Sequence, residues 1–85
     1  MFVFTKQAQK QFAKLDERIQ SQIKQKLLIL KEDVQLFNNN IKPVVNMHPI
    51  SHRVRVGSYR LLLFFNKKTK HYIVLKVAHR RQIYK

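Results

Sequence analysis

A single glycine governs the second half of this chain. Gly57 is the only glycine among 85 residues, and with Ser58 it separates the run His52–Val56 (HRVRV) from the run Tyr59–Phe65 (YRLLLFF). A two-residue connection between such runs is a tight β-hairpin, and glycine at its first central position supplies the positive φ that the turn requires. The register then follows: Val56 faces Tyr59, Arg55 faces Arg60, Val54 faces Leu61 and Arg53 faces Leu62. Alternation puts Val54, Val56, Tyr59, Leu61, Leu63 and Phe65 on one face, with Arg53, Arg55 and Arg60 on the other. A third run, His71–Ala78, returns through the loop Asn66–Lys70. Regular pairing predicts Phe65 opposite His71, with Ile73, Leu75 and Val77 on the apolar face and Lys76 beside Arg60. A slip of one residue would exchange the faces.

The first half has a different period. Phe2–Phe4 reads as a short strand. Thr5 is placed to cap a helix from Lys6 to about Leu15, whose apolar face is Ala8, Phe12 and Leu15. Asp16 is placed to cap a second helix, with Glu17 favourable in its first turn. Ile19, Ile23, Leu27, Leu30, Val34 and Phe37 recur every three or four residues, which predicts one helix of about five turns with one apolar stripe, ended by Asn38–Asn40. Leu28, Ile29 and Leu36 lie beside the stripe; they either widen the core or offer a surface to a partner. Pro43 and Pro49 make the segment after it an irregular connection. The expectation is a single domain over residues 1–85, of the α+β class: a short N-terminal strand and a two-helix hairpin packed on a small antiparallel β-sheet. No run is long and apolar enough to span a bilayer. The chain has no cysteine, hence no disulfide and no thiolate metal site. With no signal peptide visible, the expected location is cytoplasmic.

Charge narrows the partner. The chain has 18 Lys and Arg against four Asp and Glu, a formal net charge of +14. The four acids are Asp16, Glu17, Glu32 and Asp33, so no carboxylate side chain follows Asp33, whereas eleven Lys or Arg do. Such a chain attracts polyanions. Nucleic acid is the first expectation; a membrane surface or simply a soluble basic surface is the alternative, and an acidic protein is a further partner. Arg55 directly opposite Arg60 is a destabilising pair in an empty sheet. It therefore suggests a place for an anion, and the planar guanidinium fork suits phosphate. The tail adds His79, Arg80, Arg81 and Tyr84. Histidine can move a proton near neutrality, and tyrosine can stack on a base.

The absent motifs point the same way. Two-metal nucleases need carboxylates, and the sheet half has none. His48, His52, His71 and His79 show no zinc spacing, and there is no phosphate-binding P-loop, dinucleotide fingerprint or GxSxG. The expectation is no metal and no small-molecule cofactor. Phosphodiester cleavage without metal is open to RNA, whose own 2′-OH is a nucleophile, and it leaves a 2′,3′-cyclic phosphate and a 5′-OH.

The segments RVRVGSYRLLLFF and YIVLKVAHRRQIY, with the opening FVFTKQAQKQFAKL, resemble the RelE/ParE superfamily of bacterial and archaeal toxins over nearly the whole chain. The HRRxxY ending is more similar to the RelE side. The resemblance implies a type II toxin held by an acidic cognate antitoxin, and an endoribonuclease (mRNA interferase) that cuts mRNA, commonly in the ribosomal A site. The other activity of the superfamily is ParE-like inhibition of DNA gyrase without nuclease action. A plain RNA-binding module is a third possibility. By resemblance Arg60 is the phosphate-binding arginine, Arg80 the arginine near the leaving group, Tyr84 the stacking aromatic and His79 a basic or catalytic position; these four are the expected catalytic residues. Arg53, Arg55, Lys76 and Arg81 are expected to bind RNA. The chain departs from the RelE pattern at Arg53 and Arg55, where RelE carries lysines. Arginine does not give up its proton, so these two act as charge clamps and the general base falls to His79, to His52 or to the ribosome. His52 shares the parity of Val54, which turns it to the core side.

Overall fold

The computed structural model describes residues 2–84. The elements run β1 (Phe2–Phe4), α1 (Lys6–Ala13), α2 (Glu17–Glu32), α3 (Val34–Asn40), β2 (Ile41–Pro43), β3 (His52–Val56), β4 (Tyr59–Asn66) and β5 (His71–His79). The class is α+β, as the two periodicities indicate. The five strands form one sheet in the order β1-β5-β4-β3-β2. Three of its pairings are antiparallel; β1 lies parallel to β5, so the sheet is mixed.

Local chemistry starts the helices where the sequence indicates. Thr5 accepts from the Ala8 N–H at 3.1 Å and Asp16 accepts from the Ile19 N–H at 3.0 Å, satisfying donors that the first turn leaves free. The Gln20 side-chain amide closes α1 from α2, donating to the carbonyls of Phe12 at 3.1 Å and Leu15 at 3.0 Å. The expected five-turn helix is broken at Asp33, whose extended backbone (φ −121°, ψ 104°) ends α2 while its carboxylate accepts from the Leu36 N–H and starts α3. The break rotates Val34 out of the stripe, and it is 75% exposed. Leu28, Ile29 and Leu36 are exposed as well, so they do not widen the core. A second departure lies in the connection, where Ile41–Pro43 pairs with His52–Val54 and supplies the edge strand β2.

All three helices contribute to one core on one face of the sheet. Ala8, Ile23, Leu27 and Leu30 meet Ile41, Val54, Val56, Leu61, Leu63, Val74 and Val77, with Phe12, Leu15, Ile19 and Phe37 packed against them. Gly57 takes φ +58°, and the hairpin has the expected register through Val56–Tyr59, Arg55–Arg60, Val54–Leu61 and Arg53–Leu62. The β4–β5 pairing differs. Asn66, not Phe65, faces His71, and the ladder shifts between Leu62 and Leu63, where Leu75 is the extra residue on β5. This bulge lets Val74 and Val77, three apart in sequence, both turn inward. With the one-residue shift at the loop it also separates Lys76 from Arg60: Lys76 faces Leu62, and Arg60 faces Ala78.

Candidate functional site

The sheet face away from the helices carries the cations. Directly paired residues share a face, so the pairings draw two rows across it. One is Lys42–Arg53–Leu62–Lys76 and the other is Arg55–Arg60–Ala78. Leu62 belongs to this face, yet it is only 1% exposed. It and Ile83, also 1% exposed, are the buried residues outside the main core among those described. The C-terminal turns after β5 therefore fold onto the middle of the cationic face, with Ile83 as their apolar anchor. The Arg80 N–H donates to the Ser58 carbonyl at 2.7 Å and the Gln82 N–H to the His79 carbonyl at 2.8 Å, which fixes the tail against the hairpin turn.

This folding assembles an arginine cluster. The Arg60 guanidinium curls over the turn and donates to the carbonyls of Gly57 at 3.1 Å and Tyr59 at 3.0 Å. Its pKa is held below the ordinary arginine value, first by partial burial and then by the charges of Arg55, Arg80 and Arg53, while Tyr84 acts in the opposite sense. Arginine remains charged at neutral pH regardless. Four like charges thus converge, and no carboxylate is among the groups that act on Arg60. Tyr84, 59% exposed, stands at the rim of the cluster. A face built this way is paired for an anion with a flat partner beside it, as in a phosphate carrying a base.

Of the residues expected to act together, Arg53, Arg55, Arg60, Arg80 and Tyr84 are brought to one place. Lys76 is on the same face but one row away and is not among the charges acting on Arg60. Arg81 lies exposed in the tail and is likewise absent from them. His79 pairs with Tyr59 and so takes the helix-side face. Its ring meets Tyr59 edge-on at 5.5 Å, and its Nδ1 accepts from the Arg81 N–H at 3.2 Å. His52 also faces the helix side. Its Nδ1 lies 2.9 Å from the Ser51 hydroxyl, its ring packs edge-on to Tyr72 at 5.3 Å, and burial pulls its pKa down. Lys42 joins the cationic face without any signal in the sequence pattern, because a strand of three residues ending in proline shows no periodicity. No group of three or more His, Cys, Asp or Glu residues that could hold a metal occurs among the described residues. No helix among them is long and apolar enough to cross a membrane.

Comparison with known proteins gives the same outline. The chain superposes on the toxin–antitoxin complex RelB–RelE of Methanococcus jannaschii with a TM-score of 0.72 and 28% identity, covering 96% of this chain and 94% of that one. The intact RelBE complex of E. coli gives 0.70 at 22% identity, covering 93% and 94%. The RelE–RelB complex of Pyrococcus horikoshii OT3 gives 0.71 at 20% identity, covering 95% and 94%. No curated protein matches the sequence. The model of the ParE toxin of type II toxin–antitoxin systems matches residues 2–84, and on that match the chain belongs to the ParE toxin family, within the RelE/ParE superfamily.

Proposed function

We propose that this toxin is a metal-independent endoribonuclease that cleaves mRNA, with the ribosomal A site as its working place. The observation that carries the reading is the convergence of Arg53, Arg55, Arg60 and Arg80 on an open sheet face with Tyr84 at its rim and no carboxylate side chain to neutralise them. In the proposed reaction the RNA 2′-oxygen attacks phosphorus and the P–O5′ bond breaks. One proton leaves the 2′-OH and one reaches the 5′-oxygen, giving a 2′,3′-cyclic phosphate and a 5′-OH. Arg60 and Arg55 hold the non-bridging oxygens as negative charge builds on them, and Arg53 binds the strand beside them. Arg80 neutralises the leaving oxygen, Tyr84 stacks on a neighbouring base, and Arg81 and Lys76 attract flanking phosphates. The proton carrier is His79 if the RNA passes over the end of β5 to the helix side; otherwise the ribosome supplies it. Replacing His79 with Gln separates the two: cleavage lost with RNA still bound assigns the proton to His79.

A cognate antitoxin completes the proposal. The similar RelE toxins were seen in complex with RelB. Here exposed Leu28, Ile29 and Leu36 on a strongly cationic chain suit an acidic, amphipathic segment.

The family-model match favours a second reading, in which the chain inhibits DNA gyrase and cuts nothing. One experiment distinguishes them. Purified protein in EDTA is presented with the same mRNA free and on ribosomes with an open A site, and the cuts are mapped by primer extension. Cyclic-phosphate cuts, lost in both Arg60→Ala and Arg80→Ala, support the nuclease. Cleavage retained in both variants sinks the assignment of the site. No cleavage at all, with DNA supercoiling arrested, establishes the gyrase reading.

A further inference from the structure

The cationic face is wider than the arginine cluster, and the tail divides it. Leu62 sits mid-row between Arg53 on β3 and Lys76 on β5, and it is covered. The open lane away from Arg60 therefore runs toward β2, through Arg55 and Arg53 to Lys42. Lys42 pairs with Arg53, shares its face and is exposed. From β4 to β2 is two strand spacings, about 10 Å, with Arg53 midway. That distance reaches past a single phosphate. β2 is also the outer edge of the sheet, where a lysine and a proline have an ordinary use in discouraging strand-to-strand association. Pro43 already removes a backbone donor from that edge, however, and Pro43 faces the other side of the sheet in register with His52. The lysine is thus the residue of β2 that projects onto the cationic face.

We infer that Lys42, with Arg53, forms a second phosphate subsite for single-stranded RNA, holding a backbone phosphate one or more nucleotides away from the one at Arg60. The inference rests on the RNA reading above and deepens it by giving the bound strand a direction across the sheet, from Arg60 toward β2. Lys42 is a binding residue in this assignment and takes no part in bond breaking.

The test is the salt dependence of binding to a 2′-O-methyl RNA, which lacks the nucleophile and stays intact, either free or displayed in a ribosomal A site. One phosphate contact contributes about 0.7 to the slope of log K against log salt for a single strand. Lys42→Ala is expected to lower the slope by about that amount and to weaken binding about fivefold at 0.1 M salt, the difference closing toward 1 M. Lys42→Arg restores both. An unchanged slope in Lys42→Ala, with wild-type RNA binding intact, overturns the subsite; self-association of that variant without RNA loss would show edge protection instead. A wild-type chain that binds RNA in neither setting removes the RNA reading itself, and the subsite with it.

Discussion

The tail, which carries Arg80 and Tyr84, two of the groups proposed above to act in cleavage, is predicted to detach as a unit, and Ile83→Ala tests this directly. Ile83 is 1% exposed, and its replacement removes about three carbon groups, worth roughly 2.4 kcal/mol at about 0.8 kcal/mol each. In a closed core the cavity left behind would bring the loss into the range of about 2–5 kcal/mol. Ile83 is not in a closed core. Its segment follows the last strand and is fastened by the Arg80 and Gln82 backbone bonds and the Arg81–His79 contact. The tail can come away while the sheet stays folded, so the global loss is capped by the free energy of docking. The expected loss of unfolding free energy is about 1–2.5 kcal/mol, below the closed-core range. Urea unfolding measures it. Amide exchange then shows Arg80 and Gln82 losing protection while β4 and the inner half of β5 keep theirs. Cleavage should fall to the level of an Arg80→Ala, Tyr84→Ala double variant, because both residues leave with the tail. A loss above about 4 kcal/mol with cleavage unchanged would refute the reasoning, since it would make Ile83 an ordinary core residue of a rigid unit.

Three other outcomes are expected. Arg60→Gln should abolish cleavage yet leave stability within about 1 kcal/mol, because the lost bonds to Gly57 and Tyr59 are offset by relief of repulsion from Arg55, Arg80 and Arg53; added salt should stabilise wild type more than the variant. His52 has a folded pKa below its unfolded value, so the unfolded chain binds its proton more readily and stability should fall as pH drops below about 6.5. A His52→Gln variant, followed by urea midpoints from pH 7 to 5, should show a flatter profile. Asp33→Ala removes the cap of α3 and should cost about 1 kcal/mol in thermal or urea unfolding, with cleavage retained because Asp33 lies on the helix layer.

Much of the fold was legible because local chemistry and long-range pairing agree. Thr5, Asp16 and Gly57 each act alone, through one side-chain oxygen or one positive φ, and each does in the structure what its residue type dictates. The departures arise where two signals share the same residues. The apolar period runs unbroken through Asp33, so the stripe conceals a cap that the Asp itself announces, as Asp16 does. β5 is apolar on both parities, so alternation does not show that Leu75 is an extra residue, and regular pairing sets Lys76 beside Arg60 where the structure sets it beside Leu62. The hairpin arginines were legible because one glycine sets their register. The gathering of Arg80 and Tyr84 over them depends on the C-terminal turns folding back on the sheet, where Leu62 and Ile83 are both buried, a long-range arrangement that no spacing encodes.

The bulge in β5 also bears on how the sheet is reached. Two pairings of β4 with β5 would satisfy the apolar pattern of the two strands. In the regular one Ile73, Leu75 and Val77 point inward, and in the bulged one Val74 and Val77 do. Both hide aliphatic side chains, so aliphatic burial alone has little means of choosing. The ring of Tyr72 favours the bulged one. In the bulged register its ring joins Phe2, Phe37, Phe65 and His52, at centroid distances of 4.8–6.0 Å. Phe65 lies on β4 and His52 on the adjoining β3, but Phe2 and Phe37 come from β1 and α3, so the bulged pairing gains its full aromatic packing only once the N-terminal strand and the third helix have arrived. Replacing Tyr72 with a small residue should therefore slow the arrival of the native sheet as well as weaken it.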